Sequence, residues 1–137
     1  MPATPEDMAL AFDVGTRVIG VAIGNRLSGS ARALTTLAPD DWTGLDALVA
    51  TWRPDAFVVG LPLTLDGGEQ AMSKRARAFA TQLEQRYQRV VHLVDERNTS
   101  REAARRFARQ RASGAAKRKD AAEIDALAAA IILEAWL

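Results

Sequence analysis

The order of strand-like and helix-like segments constrains the fold of this chain more than any other feature. Three apolar segments with the composition of strands come first, at positions 8–14, 17–24 and 32–37. Helical periodicity then predicts a helix at 42–52, a continuous apolar run predicts a buried strand at 56–61, and helical periodicity returns from Met72 to Tyr87 before a fifth strand at 90–94.

Two helices are predicted beyond the fifth strand. Thr99 and Glu102 have the spacing of a capping box, which predicts a basic helix that begins at Thr99. Small residues at 113–116 interrupt that helix, and apolar residues at helical spacing predict a last helix from about Asp120 to Trp136.

Three consecutive strands favour an antiparallel meander, and the later alternation of helix and strand favours parallel pairing through right-handed crossovers. We therefore predict an α/β fold, in which helices flank a mixed five-stranded sheet whose first three strands are antiparallel. The chain of 137 residues has no internal repeat and no linker long enough to separate domains, which predicts one domain over residues 1–137.

Several classes of site and location are unsupported by the sequence. The chain has no cysteine, which excludes thiolate zinc sites and a cysteine nucleophile, and its sole histidine, His92, supports neither a His-rich zinc site nor a Ser–His–Asp triad. No apolar run approaches the length of a membrane span, and residues 1–7 lack the pattern of a secretory signal. We expect a cytoplasmic protein that contacts no membrane.

The basic residues are concentrated in one segment. Nine of the 18 lysines and arginines lie between positions 97 and 119, where Glu102 is the only acid. A solvated helix face is the ordinary explanation of such a run. The excess of arginine, which suits bidentate phosphate contacts, favours a surface for a polyanion instead. The predicted nucleic-acid contacts in this segment are Arg97, Arg101, Arg105, Arg109, Lys117, Arg118 and Lys119.

Acidic residues far apart in sequence lie where strand ends would bring them together. Asp13 closes the first strand, Asp95 and Glu96 close the fifth, and Asp125 lies near the start of the last helix. Carboxylates that cluster repel one another, so such a cluster favours a bound cation, and oxygen ligands select Mg²⁺ or Mn²⁺. Each acid also has a structural explanation, as an Asx-turn, a helix cap or a partner of the helix dipole.

Four motifs together resemble the YqgF/RuvX family, Holliday-junction-resolvase-like proteins with an RNase-H-like fold. The opening stretch 12–22 (FDVGTRVIGVA), the central stretch 58–67 with Gly60-Leu61-Pro62, the element Asp95-Glu96-Arg97 and the terminal stretch 124–133 occur in the family's order across nearly the whole chain. Asn98 stands where the family usually has leucine, and the stretch 118–123 is slightly longer and more acidic than the family's basic lead-in.

The resemblance implies a metal-dependent nuclease in which Asp13, Glu96 and Asp125 are the catalytic acids and hold one or two Mg²⁺ or Mn²⁺ ions. Asp95 is a further candidate ligand, and Glu123 would either add a ligand or take over the role of Asp125. We expect Thr16, Arg17 and the backbone of Gly60 to Pro62 to position the substrate strand.

The family's substrates leave two possibilities open, branched DNA such as a Holliday junction and the 5′ end of precursor 16S ribosomal RNA. Symmetric cutting of a four-way junction would favour a homodimer, whereas trimming of an RNA end would not. A different class of function is a nucleic-acid-binding module of the same fold with little activity. A fragment of an actin-like ATPase is a further alternative, because those proteins share the Asp-x-Gly-Thr motif. It is less favoured, because they need two such domains around a nucleotide and this chain has room for one.

Overall fold

The computed structural model describes residues 7–96 and 121–137, with side chains in the second range described from residue 124 onward. Its helices and strands follow one another in the predicted order. They are β1 (Met8–Val14), β2 (Ile19–Asn25), β3 (Ser30–Leu37), α1 (Trp42–Trp52), β4 (Ala56–Leu61), α2 (Ala71–Tyr87), β5 (Val90–Asp95) and α3 (Ala121–Trp136).

The five strands form one mixed sheet in the order β3-β2-β1-β4-β5. β1 pairs antiparallel with β2, and β2 pairs antiparallel with β3. On the side of β1 away from β2, β4 pairs parallel with β1, and β5 pairs parallel with β4. The predicted fold class is therefore confirmed, including the antiparallel arrangement of the first three strands.

Two helical layers cover the two faces of this sheet. On one face, the aromatic rings of Phe12, Phe57 and Phe79 pack together under α1 and α2, with centroid distances of 5.2 and 6.0 Å. On the other face, α3 packs through Ile132 and Leu133. There the strands present small residues at alternate positions, so the helix comes close to the sheet; the set includes Ala9, Ala11, Gly20, Ala22 and Gly24.

Local hydrogen bonds explain where two strand boundaries differ from the predicted ones. β2 begins at Ile19 and not at residue 17, because the amide of Gly15 donates to the carbonyl of Val18 at 3.0 Å and closes a turn first. β3 begins at Ser30, two residues earlier than expected, because Asn25 and Ser30 are already paired across the hairpin.

Helix α1 is capped at both ends. The carboxylate of Asp41 accepts a hydrogen bond from the amide of Gly44 at 2.9 Å, and Arg53 ends the helix in the left-handed conformation just before Pro54. Neither α1, α2 nor α3, the helices of the described ranges, is long and apolar enough to span a membrane. The basic helix predicted from Thr99 lies outside the described residues.

Candidate functional site

Asp13 is the acid around which the candidate site is arranged. It is the sixth residue of β1, a strand that is central to the sheet, and its backbone is in register with Gly20 of β2. Alternation along β1 places Asp13 on the same face as Ala9 and Ala11, which is the face covered by α3. Burial, together with the charge of nearby Asp125, raises the pKa of Asp13 to about 6.

Gly20 explains how Asp125 comes to lie beside Asp13. A Cβ atom built on Gly20 would fall 1.9 Å from the carbonyl oxygen of Asp125, so the backbone of α3 rests directly on β2 at this position. Because Gly20 is the register partner of Asp13, this contact places the first turns of α3 beside the end of β1. Asp125 is partly buried there, and burial raises its pKa.

Glu96 reaches the same region from the end of β5. Its amide donates to the carbonyl of Leu61 at 3.2 Å, and its side chain is only 9% exposed. A Cβ on Gly60 would lie 2.6 Å from Oε2 of Glu96, so the lack of a side chain at residue 60 leaves the space for this carboxylate. Burial raises the pKa of Glu96 to about 7, with further contributions from the charges of Asp13 and Asp95.

Asp95 lies next to Glu96 but is exposed at the last position of β5. Its backbone is in register with Leu61 of β4. Because strand neighbours point to opposite faces, Asp95 and Glu96 leave the sheet in different directions. Asp95 acts on the site through its charge, which contributes to the raised pKa of Glu96.

The three acids therefore interact through their charges: that of Asp125 raises the pKa of Asp13, and that of Asp13 raises the pKa of Glu96. Within residues 7–96 and 121–137, however, no group of three His, Asp or Glu side chains has the spacing of a metal site. The donor chemistry fits a hard divalent cation, because all the donors are carboxylate oxygens and mutual repulsion opposes their closer approach without a counter-charge. The residues present thus fit Mg²⁺ or Mn²⁺ by the chemistry of their donor atoms.

Four predicted substrate-positioning residues lie in the segments that follow β1 and end β4. Thr16 and Arg17 are exposed on the turn that joins β1 to β2, directly after Asp13 and Val14. Pro62 is partly buried beyond the end of β4. Gly60 is fully covered by Glu96 and Ile132, so its place is beneath the site, and a role in contacting substrate stays a prediction for all four.

The predicted basic surface falls in a part of the chain that the structure does not describe. Arg97, Arg101, Arg105, Arg109, Lys117, Arg118 and Lys119 all lie in the range 97–120. The side chain of Glu123 is also outside the described part, although its backbone belongs to α3. The roles assigned to these residues remain predictions.

His92 and the tryptophans occupy structural positions. His92 packs against Trp136 with ring centroids 5.2 Å apart, while Trp42 stacks on Phe79 at 5.5 Å. Trp52 is partly buried against the same core as Trp42. The three tryptophans therefore pack at the margins of the core, where each is partly buried.

Sequence reasoning missed the importance of Gly20. The signal that would have revealed it is the alternation Gly20, Ala22, Gly24 along one strand, opposite Asp13, Ala11 and Ala9 on the next. A face made only of small residues predicts the close approach of another backbone. With that approach recognised, a helix carrying Asp125 would have been placed against β2.

Comparisons with known proteins agree with this fold. The family model described as "RuvX: Holliday junction resolvase" matches residues 7–137. Proteins named "Putative pre-16S rRNA nuclease" from Xanthomonas axonopodis pv. citri (strain 306) and Xylella fastidiosa (strain M23) are 52% and 51% identical, each over 97% of this chain and 88% of the relative.

Solved structures extend the similarity at the level of the fold. Thermus thermophilus RuvC in complex with a Holliday junction substrate superposes with a TM-score of 0.56 at 15% identity, over 92% of this chain and 91% of that one. A second structure of Thermus thermophilus RuvC gives a TM-score of 0.52 at 13% identity, over 91% and 92% of the two chains. These similarities confirm the RNase-H-like fold.

Proposed function

The chain belongs to the RuvX family of Holliday junction resolvases, and on that basis we propose that it is a divalent-metal-dependent nuclease that hydrolyses phosphodiester bonds in structured nucleic acid. Asp13, Glu96 and Asp125 are the proposed ligands. One observation carries the proposal: Asp13 is coupled by charge to both other acids, one from the end of β5 and one from the start of α3.

Holding these acids together lowers the stability of the fold when they are ionised. Glu96 and Asp13 have pKa values of about 7 and about 6, so folding works against their ionisation near neutral pH. Strongly raised pKa values on carboxyls that lie near one another occur more often at functional sites than at purely structural positions. A divalent cation between them would offset the repulsion, and its binding would release the protons that they hold.

Within this site each residue has a separate part in hydrolysis. Asp13 is the fixed ligand, since it sits on a central strand of the sheet, while Asp125 and Glu96 complete the ligand set from two directions. These three carboxylates would hold Mg²⁺ or Mn²⁺, and the chemistry that such an ion would supply is the activation of water and the neutralisation of charge on the phosphoryl oxygens. Thr16 and Arg17 on the exposed turn after Asp13 would orient the phosphate backbone toward these carboxylates.

We propose the 5′ region of precursor 16S ribosomal RNA as the substrate. Relatives that are 51–52% identical over nearly the whole chain carry that substrate in their name, whereas the RuvC structures, at 13–15% identity, support the fold alone. Branched DNA is the second candidate, favoured by the description of the matching family model. We propose that the protein acts in the cytoplasm, and that a homodimer is needed only for paired cuts in a four-way junction.

The test is Mn²⁺-dependent cleavage of two labelled substrates side by side, a precursor-rRNA 5′ segment and a four-way DNA junction. Wild type is compared with Asp125→Asn and with Asp40→Asn, an exposed acid outside the site. Preferential cutting of the RNA that is lost only in Asp125→Asn supports the proposal. Paired cuts near the junction would instead identify a resolvase, and tight binding with no cleavage of either substrate would identify a binding module.

A further inference from the structure

The loop between β4 and α2 exposes a leucine beside the candidate site. Leu65 is 79% exposed, although it follows the buried end of β4 by only four residues. β4 runs parallel to both β1 and β5, so this loop begins at the carboxyl ends of the strands, where Asp13 and Glu96 also lie. A large exposed apolar side chain therefore lies at the end of the sheet that also carries the residues proposed to bind metal.

The exposure of Leu65 is built into an ordered turn. Leu63 and Glu69 form an antiparallel bridge across its base. Within it, the amide of Thr64 donates to the carbonyl of Gly68, and the amide of Gly67 donates to the carbonyl of Thr64, both at 2.9 Å. These bonds hold Leu65 at the tip of the loop.

A buried serine ties the same loop to α2. The hydroxyl of Ser73 donates to the carbonyl of Pro62, and it accepts a hydrogen bond from the amide of Gln70 at 3.0 Å. Ser73 is completely buried, so this link between the start and the end of the loop is shielded from water. The loop is thereby fixed to the helix that follows it.

The acids of the loop are engaged by local donors. Glu69 forms a two-pronged ion pair with Arg77, with N–O distances of 2.8 and 3.2 Å. The carboxylate of Asp66 accepts hydrogen bonds from the hydroxyl of Thr64 and, at 3.0 Å, from the amide of Gly68. Both arrangements weaken the repulsion that a phosphate backbone would meet on approaching Leu65.

These observations fit contact with the face of a base. Packing a leucine side chain against a base removes apolar surface from water, which favours binding. Apolar side chains beside nucleic-acid backbones commonly pack against bases that have left the stack, because a stacked base has no free face to offer. A phosphate bound through a divalent cation at Asp13 and Glu96 would leave the neighbouring nucleotide within reach of the loop.

Resting on the nuclease function proposed above, we propose that Leu65 packs against an unstacked nucleobase next to the scissile phosphate. The site then selects strands with an unpaired or junction base over continuous duplex. Leu65 is a specificity-determining residue in this scheme, and the carboxylates carry out the chemistry.

The chain provides a matched control. Leu27 is 82% exposed, almost the same as Leu65, but it lies on the hairpin between β2 and β3. That hairpin lies at the opposite end of β1 from Asp13, because Asn25 pairs with Met8 at the start of β1. Leu27→Ala removes an equal amount of exposed apolar surface far from the site.

The test uses the precursor-rRNA segment with 2-aminopurine placed in turn at each nucleotide around the cleavage position. Full-length wild type, added with Ca²⁺ in place of Mn²⁺ so that the carboxylates can hold a cation, is expected to raise the fluorescence at one position as that base unstacks. Leu65→Ala should abolish the rise and lower kcat/KM in Mn²⁺ by about fivefold to twentyfold, the loss expected for an uncovered leucine. Leu65→Met should restore both, and Leu27→Ala should match wild type.

The outcomes separate this inference from the nuclease proposal. Cleavage by wild type, with Leu65→Ala unchanged in both fluorescence and kcat/KM, overturns the base contact alone. Equal cleavage of a continuous duplex by wild type overturns the proposed selectivity. Failure of wild type to cleave any substrate overturns the proposed function on which this inference rests.

Discussion

Replacing Asp13 by asparagine should stabilise the metal-free protein at alkaline pH. The folded protein raises the pKa of this carboxyl from 3.8 to about 6, through burial and through the charge of Asp125. The shift of about 2 units corresponds to about 3 kcal/mol that folding loses when Asp13 ionises. Partial exposure of the side chain screens part of this, so about 2 kcal/mol is expected.

The sign of the effect depends on pH. Because the pKa of Asp13 is higher in the folded than in the unfolded state, its contribution favours folding below pH 3.8 and is lost as pH rises through about 6. Asparagine does not titrate, so Asp13→Asn and wild type should unfold with similar free energies near pH 4. The variant should then be more stable by about 2 kcal/mol at pH 8.

Urea unfolding in EDTA at pH 4 and pH 8 measures this difference directly. Asp40→Asn is the control, because Asp40 is exposed and lies outside the site. It should show no comparable gain at pH 8. The reasoning is refuted if Asp13→Asn is no more stable than wild type at pH 8, or if its advantage is the same at both pH values.

The remaining predictions concern packing, surface charge and salt. Gly20→Ala should lower the free energy of unfolding by about 3 kcal/mol or more in urea, and by more than Gly24→Ala, because its Cβ meets helix backbone 1.9 Å away whereas that of Gly24 comes closest to a leucine side chain at 2.6 Å. Asp46→Asn should flatten the acid limb of unfolding between about pH 4 and pH 2, because the Arg86 hydrogen bond lowers the pKa of Asp46 to about 2 and its contribution is lost as pH falls through that value. RNA affinity, measured against salt, should fall with a log–log slope steeper than about −3 if at least four or five basic residues of segment 97–119 contact phosphate; a flat response would contradict that role.

Much of the fold follows from the sequence because its strands and helices have clear periodicity. The continuous apolar run Ala56–Leu61 indicates a strand covered on both faces, and it pairs with β1 and β5 as such a strand must. The boundaries of β2 and β3 depend on hydrogen bonds between residues distant from the strand cores, which a periodic pattern does not report.

The site was less predictable than the fold. Asp13 and Glu96 end their strands, so their meeting follows from parallel pairing through β4. Asp125 lies on a helix, and its position depends on a backbone contact with Gly20 that no local pattern of α3 encodes. The exposed loop leucine was not identified either, because exposure is a property of the folded surface and a single leucine carries no signal of it.

The proposed nuclease activity depends most on Asp13, Glu96 and Asp125 forming one metal site. The most direct test is Mn²⁺ binding, followed by electron paramagnetic resonance, in wild type, Asp125→Asn and the control Asp40→Asn. We predict that wild type and Asp40→Asn bind Mn²⁺ alike and that Asp125→Asn binds at least tenfold more weakly. Equal binding by all three would contradict the proposal that α3 delivers a metal ligand to the end of β1.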